Sequence, residues 1–453
     1  MVIKTGRCEK QSDVTCESSN NINPLNKTFL ANQDEALIQR YPWDEYTQGI
    51  ILSSFFWSAT IYHFFSGPLA ERYGGKHLLG FGIFSQAVLT CVTPFLINWG
   101  GSTALIITRV LAGIAFGGMY PISSKMISHW TTSEDRTKVG NAVYSGSVLG
   151  LFFGNILPAL IIKCSGMGWP SVFYFMGILG IIWFPFWLVL VYENPQVHPF
   201  ISDEELEYFE NSSETKKDKT PPPPWKHILM CREFWAFTVD LVGANWSFYV
   251  MVSDLPKYMD SVIKFSLESN GYFSSLPYIF MWLISVASAW VNDKILENQW
   301  MSLTNVRKLL TTLSNLGPAI FLLLASYAGQ DKTMVVIMFI IGVALIGCSY
   351  PSLMMNPLDL SPKYAGSIMS IGTGIGSIVG IITPYLVGVL VPNSTLTEWR
   401  LVFWIVFLFA AVSNIIYLYW FRAEVQPWNN TDFITNSEEE KNIELHKRLM
   451  VFS

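Results

Sequence analysis

The chain is poor in charge: Asp, Glu, Lys and Arg together supply only 14% of its 453 residues, against roughly 25% in soluble domains. A soluble globular enzyme is excluded on that ground. No basic excess exists either, since the formal net charge is −5, so no surface awaits a phosphate backbone and no nucleic-acid partner is expected. Cysteine and histidine are scarce, at six each, and none of their spacings suits a metal site. His-Glu-x-x-His and Gly-x-Ser-x-Gly are both missing, so no enzyme chemistry, metal or cofactor is expected. What is abundant is apolar: AVILMFWYC residues make up 51% of the chain, with 17 Trp, 19 Tyr and 31 Phe.

These apolar residues fall in long runs. A helix needs about 20 of them to cross about 30 Å of hydrocarbon, and eleven runs qualify: 49–70, 77–97, 103–127, 139–162, 171–192, 234–253, 271–291, 309–327, 333–350, 364–391 and 401–421. The expected fold class is therefore an all-α polytopic membrane protein embedded in a lipid bilayer. The runs are about twice the length of a barrel strand and do not alternate, which excludes a transmembrane β-barrel.

Lysine and arginine set the orientation. Placing the loop after the first run in the cytosol puts seventeen of them there, among them Arg72, Lys76, Arg136, Lys138, the basic residues of 216–232, Arg307, Lys308 and Lys363. The opposite loops after that run hold five: Lys163, Lys257, Lys264, Lys332 and Arg400. Residues 1–48 then form an extracytosolic segment, where Asn26-Lys27-Thr28 is a glycosylation sequon and Cys8 and Cys16 either pair or stay free. An outer N-terminus with an odd number of runs and no signal segment leads to the expectation that a first span precedes Met1, making eleven of twelve.

The division expected is an N-terminal bundle of five spans over 49–192, a cytosolic linker over 193–232, a C-terminal bundle of six spans over 233–422 and a cytosolic tail over 423–453. The linker carries acidic Asp203-Glu204-Glu205, basic Lys216-Lys217-Asp218-Lys219 and Pro221 to Pro224, whose polyproline stretch stiffens its end. Weak repetition supports two halves, because Gly67-Pro-Leu-Ala-Glu-Arg-Tyr-Gly-Gly-Lys76 follows one span and Ser288-Ala-Trp-Val-Asn-Asp-Lys294 follows its counterpart. Two bundles so related are a transporter's architecture.

The loop Gly67 to Lys76 resembles the signature of the major facilitator superfamily. Further strings are similar to its anion:cation symporter branch, solute carrier family seventeen: Gly49 to Trp57, Arg109-Val-Leu-Ala-Gly113, Gly168 to Tyr174, Asn245-Trp-Ser-Phe-Tyr249, Asn270 to Tyr278, Asn356-Pro-Leu-Asp-Leu-Ser-Pro362 and Tyr364-Ala-Gly366. The resemblance runs from about Gly49 to Phe421. It implies a fold of two six-helix bundles, and a secondary active symporter that carries small organic or inorganic anions by alternating access with a proton or sodium ion. It implies a plasma-membrane or endolysosomal and vesicular location.

At membrane depth a charge costs at least a few kcal/mol and faces a cavity or a partner. Arg109 shares a helix face with Gly113, Phe116, Gly117, Tyr120 and Ser124. That stripe reads either as an anion path with Arg109 as receptor or as an arginine snorkelling outward. The resemblance implies the receptor role, and it adds Asn245 and Tyr249 to the substrate-binding set. It also exposes departures. Phe116 stands where many members have a proton-carrying glutamate, Ser124 where sialin-like members have a histidine, and Ala244 where vesicular glutamate transporters have an arginine. Asp240 is the candidate replacement for coupling; the alternative is a carboxylate reaching the cytosolic edge. Lys125 reads as snorkelling to the inner edge. Glu71, Arg72 and Lys76 are expected to gate the cytosolic side by pairing with a neighbouring helix end. Gly146, Gly150 and Gly154 read as a close-packing ladder. Two further readings stay open, an uncoupled anion facilitator and a transport-inactive relative that binds anions.

Overall fold

The computed structural model describes residues 41, 43–212, 222–251, 267–328, 332–392 and 395–430. Cys8, Cys16, Asn26, Asp254 and Lys257 lie outside the described residues. Among those described, regular structure is helical throughout. The N-terminal half holds α1 (Glu45–Tyr73), α2 (Gly75–Phe116), α3 (Met119–Trp130), α4 (Arg136–Ser165) and α5 (Pro170–Leu190). Two short helices follow, α6 (Asp203–Ser212) and α7 (Trp225–Met230). The C-terminal half holds α8 (Arg232–Tyr249), α9 (Leu267–Glu297), α10 (Leu303–Tyr327), α11 (Lys332–Ile346), α12 (Asn356–Leu360), α13 (Ala365–Leu390) and α14 (Leu396–Trp420).

At 42 residues, α2 would run about 63 Å if straight, twice the hydrocarbon thickness. It folds back at Gly101, whose φ of 58° and ψ of −140° suit a residue without a Cβ. The two legs then lie close together, so that a Cβ on Gly82 would sit 2.9 Å from the Ala115 carbonyl oxygen. The second leg breaks at Gly117 and Gly118 before α3 completes the crossing. Eight stretches are long and apolar enough to span a membrane, Gly75–Trp130 being this folded pair. Helices α1 and α8 pack beside them and cover the two remaining apolar runs, 49–70 and most of 234–253.

Local chemistry sets the ends. Thr395 and Glu398 cap α14 reciprocally, and the Ser302 side chain accepts from Asn305 N at 3.4 Å at the start of α10. The acidic triplet that reads as linker is the first turn of α6, where carboxylates meet the positive end of the helix dipole. Tyr208 docks α6 onto the N-terminal bundle, its hydroxyl donating to Asp135 Oδ2 at 3.3 Å. The run 333–350 continues further than its apolar length indicates, through 3-10 turns at Gly347–Ser349 and Leu353–Met355 into the fully buried α12.

Helices α1 to α5 pack among themselves, as do α8 to α14, and the two groups meet where α1 and α3 lie on α13 and α4 lies on α9. Large apolar side chains such as Trp99, Phe95, Phe186 and Tyr419 point outward, which would be a liability in water but suits lipid. The Gly146, Gly150, Gly154 ladder is not a close-packing face: no atom among the described residues lies within 4 Å of a Cβ at any of the three.

Candidate substrate path and cytosolic gate

The two bundles are closed against each other on the side that the lysine and arginine count assigns to the cytosol. The closest point is Gly67 on α1, where a Cβ would overlap the backbone carbonyl of Gly366. One turn on, Glu71 receives hydrogen bonds from Ser367 N at 2.9 Å and Ser367 Oγ at 2.8 Å. A carboxylate thereby sits on the positive end of α13. Its expected gate partners turn elsewhere: Arg72 lies over the Tyr73 ring at 5.4 Å, and Lys76 over the Tyr192 ring at 4.6 Å. The cation near Glu71 is Lys125. Lys125 does not snorkel; it is 1% exposed and donates to the Lys363 carbonyl at 3.2 Å.

The seam continues through Arg136 to the Leu358 carbonyl at 3.2 Å, Ser285 to Asn141 Oδ1 at 2.7 Å, and Ser377 to Thr60 Oγ1 at 3.0 Å near mid-helix. Beside it lies a buried ion pair that sequence reading misses. Arg307, on α10, donates from Nε to Asp359 Oδ2 at 2.7 Å and from Nη2 to Asp359 Oδ1 at 3.3 Å. The same guanidinium reaches Thr137 Oγ1 of the other bundle at 3.0 Å, Asn292 and the Pro351 carbonyl. By sequence Arg307 counts only as a loop cation, and Asp359 only as one letter of a family string; nothing local pairs them across 52 residues.

Glu71→Ala is expected to weaken cytosolic closure by about 2 kcal/mol, the worth of a hydrogen-bonded charge. The check is maleimide labelling of Ser370→Cys from the cytosolic side. Position 370 is buried in the shut seam, so labelling should rise in the double variant and stay low with Glu71 present.

Above this gate, four of the expected substrate residues come together at the seam. The Tyr120 ring lies tilted against Tyr144 at 5.7 Å, and its hydroxyl donates to Ser147 Oγ at 3.4 Å. Ser124, fully buried, lies beside the Tyr144 hydroxyl. Tyr249 and Tyr350 from the other bundle stand within electrostatic reach of Tyr120, and Tyr249 meets Phe56 edge-on at 6.0 Å. Asn245 and Tyr249 on α8 pack onto α13, where Cβ atoms at Gly376 and Gly380 would lie 2.6 Å and 2.7 Å from their side chains. Phenol groups from both bundles, Tyr120 and Tyr144 on one side and Tyr249 and Tyr350 on the other, thus gather at the seam.

Arg109 is not among them. Gly113 and Gly117 of its stripe are filled by α1, at Phe55 and Ser58 and at Ala59, so this face packs rather than lines a path. Eleven residues separate Arg109 from Tyr120, about 16 Å along a helix. Arg109 instead opens into a cavity of 220 Å³ bounded by α1, both legs of α2 and Trp169. No described side chain pairs with its guanidinium, and Gln86 Oε1, in a side chain lining the same cavity, is buried without a donor. Phe116 packs against Phe55, the rings tilted with centroids 5.5 Å apart. Asp240 reaches no cytosolic edge: it is 0% exposed, inside the C-terminal bundle.

Two helical bundles closed against each other at one end, with polar side chains buried along their seam, are the architecture of a polytopic transporter. A family model described as Major Facilitator Superfamily matches residues 18–384, and the chain belongs to that superfamily, in the branch of solute carrier family seventeen. Human sialin is 36% identical over 394 residues, 87% of this chain and 79% of that protein. A Drosophila ananassae protein, whose name assigns it provisionally to inorganic phosphate cotransport, is 34% identical over 402 residues, 88% of this chain and 83% of its own. Vesicular glutamate transporter 1 of Bos taurus is 30% identical over 396 residues, 86% and 70% respectively. The relatives are transporters, and this chain is a multi-pass membrane transporter rather than an enzyme.

Proposed function

We propose that the protein moves small organic or inorganic anions across a plasma or endolysosomal and vesicular membrane by alternating access, as a symporter driven by a proton or sodium gradient. The observation that carries this reading is Arg109, a cation without a partner among the described residues, in a cavity that also holds an unsatisfied acceptor. An uncompensated cation at that depth is costly, and an anion is the ligand that offsets it. Because Gln86 Oε1 needs a donor, an organic acid bearing a hydroxyl or amide N–H suits the cavity better than a bare inorganic anion: its carboxylate meets Arg109 and its donor meets Gln86.

The Tyr120, Tyr144, Tyr249 and Tyr350 space is then the midplane station, and Glu71, Lys125, Arg307 and Asp359 hold the cytosolic side shut until the bundles rock. The second reading, an uncoupled facilitator or an anion-binding relative without flux, draws on Phe116, because a phenyl ring beside Phe55 cannot load a proton.

Purified protein in vesicles should take up at least one of N-acetylneuraminate, L-glutamate and inorganic phosphate. Arg109→Ala is expected to lower that uptake roughly 10- to 150-fold, the loss of a charge-assisted bond worth about 1.5–3 kcal/mol, with Arg109→Lys retaining part. Uptake in Arg109→Ala equal to the parent would remove the receptor role. Binding without flux would favour the second reading.

A further inference from the structure

Inside the C-terminal bundle, away from the substrate space, three buried oxygens have no hydrogen-bond donor: Asp240 Oδ2, Asn315 Oδ1 and Asn356 Oδ1. All three residues are 0% exposed. Two belong to one pair, since Asn315 Nδ2 donates to Asp240 Oδ1 at 2.7 Å and to Ser413 Oγ at 3.1 Å. The third belongs to an amide that donates to the Tyr417 hydroxyl at 3.0 Å. The cluster ties α8, α10, α12 and α14 together. Gly243 leaves the room for it, since a Cβ there would overlap Ser413 Oγ.

These are acceptors gathered around a carboxyl group, with no cation paired to it among the described residues. The charged and titratable groups on the packed helices are engaged elsewhere: Lys308 of α10 lies near Arg422, Glu398 caps the first turn of α14 and Arg400 donates to the Ser326 carbonyl, and Tyr327 and Tyr419 are exposed. On α10, Arg307 is held by Asp359 of α12. On α14, Tyr417 is bonded to Asn356. Helix α13 offers only Tyr385, which is 75% exposed. Lys226 and His227 of α7, with Arg232 and Glu233 of α8, sit at the cytosolic end, about 10 Å or more along the axis from Asp240. An ionised carboxylate kept dry here without a partner is strongly unfavourable. A single proton removes the buried charge, because a carboxylic acid can donate from Oδ2 while its Oδ1 still accepts from Asn315.

We propose that Asp240 is the proton-loading site of the transporter, with Asn315 as its positioning residue: the carboxylate takes one proton at Oδ2 from the extracytosolic side and gives it up to the cytosol after the bundles rock. The proposal rests on the symporter reading above and names its ion and its site. The link to the substrate space is α8 itself. Its inner part holds Asp240 against α10 and α14, and about one and a half and two and a half turns on it presents Asn245 and Tyr249 to α13. Protonation alters how α8 is held on one side, and so how it packs on α13 at the other. Sodium fits less well, since the close packing at Gly243, Ser413 and Asn315 leaves no shell for a larger ion.

Two measurements on the full chain in lipid vesicles test this. Infrared difference spectra across a pH titration should show the carbonyl stretch of a protonated carboxyl, absent in Asp240→Asn and shifted in Asn315→Ala. The absence of that band in the parent protein, or its persistence in Asp240→Asn, overturns the proposal; so does its loss when sodium replaces potassium at constant ionic strength, which assigns the site to sodium. A one-unit pH gradient supports about tenfold accumulation per coupled proton. Asp240→Asn should lose that accumulation while keeping anion counterflow, and Asp240→Glu should restore part of it. Unaltered gradient-driven accumulation in Asp240→Asn also overturns the proposal. If no anion tested is transported at all, the infrared arm still reads Asp240, so failure of the symporter reading is distinguishable from failure of the proton site.

Discussion

Replacing either Arg307 or Asp359 by alanine is expected to cost about 3–5 kcal/mol of stability, the usual penalty for stranding one half of a buried ion pair. The pair is 1% and 4% exposed at its side chains and is doubly hydrogen-bonded. The stranded guanidinium would still meet Thr137, Asn292 and Pro351, but those are neutral acceptors and cannot cancel its charge. A stranded Asp359 would lose both of its Arg307 donors. Thermal unfolding in detergent should therefore show a large fall in midpoint for each single variant. The double variant Arg307→Met, Asp359→Leu should recover most of that fall, because removing both charges removes the desolvation cost with them. A double variant as unstable as the singles would mean that the hydrogen bonds to Thr137 and Pro351, rather than the charge balance, hold this corner. Cytosolic closure should loosen even where stability recovers, since the Arg307 bond to Thr137 is one of the ties between the bundles.

Gly67→Val should act on conformation more than on folding. The Cβ would meet backbone, at the Gly366 carbonyl and Ser367 N, rather than a flexible side chain that could swing away. Overpacking of this kind costs about 1–3 kcal/mol, and here the cost falls only on the state in which α1 and α13 touch. The expected result is a 5- to 150-fold shift away from the cytosol-shut state, read as cytosolic labelling of Ser370→Cys with little change in unfolding midpoint. Net transport should fall, because a carrier that cannot close one side cannot complete the cycle. Low labelling in Gly67→Val would show that the bundles can slide past the added methyl groups, and that the glycine is not what permits closure.

The helices were legible in the sequence because lipid imposes a length and a polarity that composition reports directly. Even α2, continuous through Gly100 and Gly101, reads as two spans, since no apolar run of its length can lie straight in a bilayer. The gate was legible in part. Glu71 stands out as a carboxylate just past a span, but whether it, Arg72 or Lys76 reaches the other bundle depends on side-chain direction about a helix end. The Arg109 stripe illustrates the same limit. A 100° spacing says which residues share a face, not what that face meets, and here α1 fills it. Lys125 and the glycine ladder of α4 fail for that reason too, one being covered where exposure is expected and the other open where contact is expected.

The sequence by itself determined that this is an all-helical polytopic membrane protein, its superfamily and the short list of intramembrane polar residues. Those follow from one-dimensional quantities: run length and motif strings. Only the tertiary structure decided which polar residues share a space. It joined Arg307 to Asp359 and Asp240 to Asn315, gathered Tyr120 and Tyr249 while leaving Arg109 apart, and closed Glu71 onto Ser367. The partners in these contacts lie 52 to 296 residues apart. Such pairings are set by how two bundles dock and by which rotamer each helix face permits, and neither is written in any local stretch of chain.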